Sequence, residues 1–412
     1  MSVRGPLTIP VLDGYLHCKY LGLLRIDGQP GEISEFASLL GARHASVRAA
    51  ALEKIVHQFG DHTLSGVVLT PDSLRSGALF LLDADLQRDS TSIRFDGLQR
   101  VPGTSVLGDF HYVPVLFRAD RHLHRTDRAL LELLGLLLSR VQGTAPTYGF
   151  IYHGNDCRRS KVRFSHEPRG AMGLLDELSR LQQGEVQPRL VLNDHCPECE
   201  FSGRCREQAI REDNLSLLRG LGQKAIAAYA RKGIFTLTQL AHTFRPRRKG
   251  KRSGDRSKKR YFALQALALR DRRVYVLGTP DVPTDEVQIY LDLEGTPDDG
   301  FVYLIGLIVC DGATQKEYSF WADSKDQELS IFENFLAVVA RYHSLRIYAY
   351  GGYERVFLKR MRLNSSRKKL VDRIVDSLVN VLGIVYSHFY CLSLGGLKPS
   401  PSGDGFQRVR AG

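Results

Sequence analysis

The reading of the fold turns on Ile289-Tyr290-Leu291-Asp292-Leu293-Glu294-Gly295, followed after a polar stretch by Phe301-Val302-Tyr303-Leu304-Ile305-Gly306-Leu307-Ile308-Val309. Two apolar, β-branched-rich runs flank Pro297, Asp298, Asp299 and Gly300, which predicts a β-hairpin. Residues two apart in a strand share a face, so Asp292 and Glu294 point the same way, with Leu291 and Leu293 opposite. The apolar partner run argues for a central strand. Two adjacent carboxylates repel and are costly to bury unless a cation lies between them. A divalent metal resolves this most simply; carboxylates facing solvent on an edge strand are the alternative.

Downstream, Leu345-Arg346-Ile347-Tyr348-Ala349-Tyr350 is a second apolar strand ending in Gly351-Gly352-Tyr353-Glu354. Val356, Phe357, Leu358 and Met361 then give a helical apolar face, and Leu329, Phe332, Phe335, Leu336 and Val339 recur at helical spacing between the strands. A strand-borne D-x-E before a hairpin, in the order strand, hairpin, helix, strand, helix, resembles the RNase H-like, DEDD-type 3′–5′ exonucleases. The resemblance implies that Asp292 and Glu294 bridge Mg2+ or Mn2+ and that Glu354 is the next acidic ligand. The ions would activate water and stabilise the leaving 3′ oxygen. Asp372 or Asp376, on the helix before Val379, is the local candidate for the remaining ligand; Asp376 is taken as the catalytic one.

A chain of 412 residues holds two or three domains, and 43% hydrophobic content is ample for their cores. No run of eighteen apolar residues occurs and the N-terminus lacks a signal peptide's apolar core, so a cytoplasmic protein without a membrane span is expected. The net charge of +12 is unevenly placed. Residues 245–260 contain ten Lys or Arg against one acid, Asp255. Gly250, Ser253, Gly254 and Ser257 oppose a stable element there. A flexible basic loop that neutralises phosphates is expected, with Arg247, Arg248, Lys249 and Lys251 as contacts; a solvated linker is the alternative.

The seven cysteines include Cys196, Cys199 and Cys205 in a C-x2-C-x5-C cluster. That spacing places three thiolates round one point, and a fourth ligand must come from elsewhere, Cys18 being the candidate. One remote cysteine followed by three clustered ones resembles the iron–sulfur staple of RecB-like nucleases, including the AddB type. The resemblance covers about residues 11 to 206 and implies a 4Fe-4S cluster pinning the ends of a PD-(D/E)XK nuclease domain. Zinc on the same thiolates, or with His195 as substitute ligand, is the alternative; so are reduced, unliganded cysteines.

The PD-(D/E)XK pattern wants an acid on one strand and D/E-x-K on the next. Asp96 supplies the first acid, but Leu116 and Arg118 stand where acid and lysine belong, and no lysine occurs between Lys54 and Lys161. Asp109 is the nearest substitute acid and also lacks the lysine. A retained nuclease fold with lost chemistry is expected. The leucine-rich helix at 128–141 reads as core, and His44 as a residue that could sit where the family has a site histidine.

After the cysteines, Leu218-Arg219-Gly220-Leu221-Gly222-Gln223-Lys224-Ala225 resembles a helix-hairpin-helix, whose glycines let helix N-terminal N–H groups approach phosphate. Gly220, Gly222 and Lys224 are its candidate contacts, Arg219 adds charge, and Thr236 is a candidate cap for the next helix. An ordinary helical hairpin is the alternative. Taken in order, the parts resemble the bacterial RecB-family nucleases with a C-terminal YprB-type ribonuclease H-like domain, over about residues 11 to 398.

The expected architecture is therefore mixed α/β: a degenerate PD-(D/E)XK nuclease-like domain and a truncated RNase H-like domain, joined by a helical hairpin module. The parts are a RecB-like domain with the cysteines at 1–212, helix-hairpin-helix at 213–244, basic linker at 245–285, exonuclease domain at 286–398, and a disordered tail at 399–412. The family continues to a Y-N-x-x-D segment that supplies its last acidic ligand and that is not found here, so little or no nuclease activity is expected. The expected partner is nucleic acid, DNA in preference to RNA, in a DNA-repair setting with a helicase. Alternatives are a non-catalytic nucleic-acid-binding subunit working with a helicase or nuclease, and a decayed gene product.

Overall fold

The computed structural model describes residues 4–88, 91–165, 169–245, 261–296, 300–390 and 406–409. The fold is mixed α/β, and the chain divides into two compact units, residues 1–217 and 218–412.

In the first unit, α1 (Ile9–His17) starts where the Thr8 side chain accepts from Val11 N and Pro10 presets the first turn. Cys18 is extended and separates it from α2 (Lys19–Ile26). α3 (Glu35–Phe59) is capped by Ser34. Six strands follow in sequential order across one sheet: β1 (Thr63–Ser65), β2 (Phe80–Arg88), β3 (Thr91–Ser105), β4 (Gly108–Arg118), β5 (Tyr148–His153) and β6 (Arg158–Arg163). The helix α4 (Pro71–Arg75) precedes β2. β2, β3 and β4 form an antiparallel meander, and β5 returns parallel to β4 after α5 (Arg125–Gln142). The leucines of α5 are core as expected: Leu130, Leu131, Leu133, Leu134, Leu137 and Leu138 are all buried. α6 (Arg169–Gln182) and α7 (Ser202–Arg211) complete the unit.

The second unit opens with α8 (Gln223–Ala230) and α9 (Leu237–His242). The stretch expected as a basic linker, 245–285, in fact carries α10 (Phe262–Asp271) and β7 (Val274–Leu277). Leu264, Ala268 and Tyr275 are apolar enough to build a small core there, outweighing the charge that precedes them.

The main sheet comprises β8 (Val287–Thr296), β9 (Phe301–Asp311), β10 (Thr314–Trp321), β11 (Leu345–Ala349) and β12 (Leu378–Asn380), in the order β10-β9-β8-β11-β12. The hairpin pairs are antiparallel, while β11 runs parallel to both β8 and β12. β8 is thus the central strand, as the apolar partner run implied. Its odd-numbered side chains, Ile289, Leu291 and Leu293, are buried under α11 (Glu328–Val339) and α12 (Tyr353–Met361), which contribute Phe332, Phe335, Phe357 and Leu358. Each such side chain removed from water contributes about 1.5–3 kcal/mol, enough to fix the register of the strand.

α13 (Lys368–Ser377) precedes β12, and α14 (Val381–His388) leads to β13 (Phe389–Tyr390). β13 and β14 (Phe406–Val409) flank β7 in a three-stranded sheet. β14 lies in the stretch expected as a disordered tail; the rest of 399–412 lies outside the described residues. Among the described residues, no helix is long and apolar enough to cross a membrane.

Candidate active site

Asp292 and Glu294 are exposed on the even face of β8, opposite Gly306 and Leu304 of β9. β11 runs parallel with Tyr348 opposite Tyr290, so the loop leaving β11 emerges on the level of Asp292. That loop delivers Glu354 in the first turn of α12, where it is 5% exposed. Glu354 Oε2 is fully enclosed and has no hydrogen-bond partner among the described residues. Burial raises its carboxyl pKa, its own backbone N–H opposes this, and the Asp292 carboxylate adds to the rise. An enclosed carboxylate held only by its own backbone N–H, with one oxygen unpartnered among the described residues and a second carboxylate nearby, is an arrangement that a cation would satisfy.

Three long-range hydrogen bonds hold this geometry, and none was foreseen from the sequence. Glu328, buried at the start of α11, accepts from Val302 N at 2.7 Å and from Arg360 Nη2 at 2.6 Å. Arg360, on the same helix as Glu354, also donates to Gly300 O, so an ion pair to the buried Glu328 ties α12 to the end of the β8–β9 hairpin. A β-bulge follows Glu294, and a Cβ at Gly295 would lie 2.5 Å from Phe301 O and 2.7 Å from Tyr353 Oη. Only glycine fits that approach.

The structure does not bring Asp376 to the site. Leu378 is level with Ile347 and hence Ile289, and β12 runs parallel to β8. Asp376 precedes Leu378, so it lies toward the end of the sheet away from Asp292 and is exposed to solvent. Asp372 is held by Arg362 at 2.5 and 2.9 Å. The β12 residue nearest the carboxylate end is Asn380, whose Oδ1 caps α14 by accepting from Gly383 N.

The acidic residues of the first unit are arranged differently. Asp96 Oδ2 accepts from Phe117 N at 3.0 Å, and Arg48 lies 3.6 Å from its other oxygen while binding Asp83 at 2.7 and 2.8 Å. His44 lies beside Asp96 with its Nε2 2.9 Å from Phe117 O. Leu116 is fully buried, and Asp109 is exposed at the start of β4. Arg118 binds Asp127 at 2.7 Å and Asp13 at 3.0 Å. Burial raises the Asp96 pKa, and the Phe117 N–H, Arg118, His44 and Arg48 oppose it.

Cys18, Cys196, Cys199 and Cys205 line one small cavity together with His195, Leu21 and Leu24. Backbone N–H groups of Asn193 and Phe201 donate to the sulfurs of Cys196 and Cys199, at 3.2 and 3.4 Å. Burial and the neighbouring cysteines push the Cys205 thiol up to about 12, and the thiols of Cys196 and Cys199 are raised mainly by burial. Burial and His17, which stacks on it at 4.4 Å, lower the His195 pKa. As the side chains stand, no group of three or more His, Cys, Asp or Glu among the described residues is arranged to hold a metal ion.

The helix expected before Gly220 is a single 3-10 turn, Leu215–Leu217. Gly220 takes the left-handed conformation at φ +74, and Gly222 is the N-cap of α8, with Lys224 exposed in its first turn. Arg219 is engaged over the Tyr386 ring at 3.1 Å. Thr236 caps α9 in a reciprocal pair with Gln239, as expected. Arg247, Arg248, Lys249 and Lys251 lie outside the described residues.

A family model described as RNase_H superfamily matches residues 289–398. With the 10-9-8-11-12 strand order and the carboxylate-bearing central strand, this defines an RNase H-like domain, a nuclease-like α/β fold. Nucleases of this class act on phosphodiesters and typically use divalent metals such as Mg2+. The comparison with curated proteins finds no match to this chain.

Proposed function

We propose that the second unit is a metal-dependent nuclease domain of the 3′–5′ exonuclease type. The observation that carries the reading is the enclosed Glu354 carboxylate beside Asp292 of the central strand, whose Oε2 has no hydrogen-bond partner among the described residues. Asp292, Glu294 and Glu354 would hold Mg2+ or Mn2+, which when bound lowers the pKa of water and offsets charge on the leaving oxygen. Asp292 and Glu294 present their carboxylates to solvent, where a phosphate can approach, and Glu354 closes the site from the α12 side. The Glu328–Arg360 pair and Gly295 keep helix and hairpin in register.

The first unit supports a RecB-like reading through its topology, a meander of three strands followed by a helix and a parallel strand, and through its four-cysteine cavity. Its acid site is inactive in this proposal, because Arg118 and Arg48 occupy it with ion pairs. The four thiols suit a 4Fe-4S cluster, with zinc as the alternative, as a structural staple. Anaerobic purification distinguishes these: a brown protein supports iron, a colourless one with stoichiometric zinc supports zinc, and a protein with neither overturns the staple.

A second reading, a non-catalytic subunit that presents nucleic acid to a helicase or nuclease partner, is favoured because, among the described residues, no group of three or more acidic, His or Cys side chains is arranged to hold an ion. DNA is the proposed polymer, with Gly220, Gly222, Lys224 and the basic segment as backbone contacts. Release of nucleotides from a 3′-labelled oligonucleotide with Mg2+ or Mn2+ separates the two readings. Salt-sensitive binding without release selects the second.

A further inference from the structure

The chain contains a single tryptophan, and the fold leaves it in an unusual position. Trp321 ends β10, the edge strand, and is 63% exposed. Its neighbours Tyr318 and Phe320 are partly buried against the core, so the edge strand does not lack a place to hide aromatic rings. Trp321 instead pairs with Leu304, which in turn pairs with Glu294. Trp321 therefore shares a face with the carboxylates, two strands away, or about 10 Å across the sheet.

The β-bulge after Glu294 adds a second part. Tyr303 is the residue left out of the pairing there, and its ring stacks on Trp321 with centroids 6.1 Å apart and planes 22° from parallel. Tyr303 O also accepts from Ala322 N at 2.9 Å, which fixes the backbone on both sides of the stack. Bulges beside functional sites commonly re-aim one side chain. Between this ridge and Asp292 the next row is Ser319–Gly306–Asp292, where Gly306 has no side chain and Ser319 a short one. An aromatic ridge, a flat floor and a pair of carboxylates thus follow one another across one face.

We infer that Trp321, supported by Tyr303, is a stacking platform for a nucleobase of a single-stranded nucleic acid whose phosphodiester lies at Asp292 and Glu294. The inference rests on the nucleic-acid reading proposed above. Every base has a π-face, so such a platform is sequence-tolerant, as an exonuclease requires. Tyr303 orients the indole and Trp321 touches the base.

Because the full chain holds one tryptophan, its emission reports this residue alone. An oligothymidylate of about fifteen nucleotides, titrated while the anisotropy of a dye at its 5′ end is followed, should quench the emission in step with binding. An abasic oligomer of equal length should quench little. Trp321→Ala should weaken oligothymidylate binding about ten-fold, while Trp321→Phe keeps it within about three-fold. Binding seen by anisotropy without quenching, and unweakened in Trp321→Ala, overturns the platform and leaves the nucleic-acid reading standing. No binding of either oligomer by the unaltered chain overturns both.

Discussion

Asp96 in the first unit and Glu354 in the second are both carboxylates enclosed enough for burial to raise their pKa, but the protein treats them in opposite ways. Asp96 receives a backbone N–H and stands among Arg48, Arg118 and His44, so its charge is answered from within the chain. Glu354 receives only its own backbone N–H, its enclosed Oε2 has no partner among the described residues, and the nearby charge is another acid, Asp292. The first arrangement is complete as it stands. The second is incomplete without a cation, and leaving a buried carboxylate unanswered costs stability that a purely structural site would not retain.

The largest effect that could break this comparison is on phosphodiester hydrolysis. Mg2+-dependent release from a 3′-labelled oligonucleotide should fall at least about a hundred-fold in Asp292→Asn, because one ligand of the ion is lost. Asp96→Asn should leave it within about two-fold. The reverse pattern would move the active site to the first unit.

Stability provides the next test. Arg118→Met should destabilise the first unit by about 3–5 kcal/mol in urea unfolding, since Asp127 would be left enclosed without its cation and half-exposed Asp13 would lose its partner. Arg118→Lys, which restores the lysine of the nuclease pattern, should create no activity, because Leu116 in the core cannot bind metal. A loss below about 1 kcal/mol in Arg118→Met would mean that the arginine is not the structural tie described here.

A smaller effect should appear on adding metal. At about a hundred times its dissociation constant, Mg2+ should stabilise the second unit by about 2.7 kcal/mol, seen as a raised Tm. Glu354→Gln should lose most of that response, and Asp96→Asn none of it. Equal responses in both variants would show that the ion does not bind where Glu354 stands.

The sequence made the metal-facing strand legible for a local reason. Alternation in β8 depends only on neighbours, so Asp292 and Glu294 could be placed on one face and Leu291 and Leu293 on the other without tertiary knowledge. The failed assignment of Asp376 shows the limit, because its distance from Asp292 depends on the direction and register of β12, which no local pattern encodes. Arg118 was readable as a missing lysine, but not as the partner of Asp13 and Asp127, which lie on separate helices. Glu328–Arg360 and the Tyr303–Trp321 stack were missed for the same reason, although a lone tryptophan in an alternating strand was a signal that could have been followed.

The finest distinction between the two sites is in pH dependence, and its sign follows from the direction of the Glu354 shift. Its folded-state pKa lies above the unfolded value, so the folded chain binds the proton more tightly. Without metal, this group's contribution favours folding most at low pH and is lost as pH rises from the unfolded pKa through the raised one. Glu354→Gln should remove that segment of the stability curve, so the metal-free variant should be the more stable protein above the folded pKa of Glu354. Mg2+ reverses the preference, since it needs the charged carboxylate. Urea midpoints of the unaltered chain and Glu354→Gln, taken across the acid range with EDTA and with Mg2+, measure both halves. Parallel curves in EDTA would show that Glu354 is answered by some group after all, and that the contrast with Asp96 is one of degree.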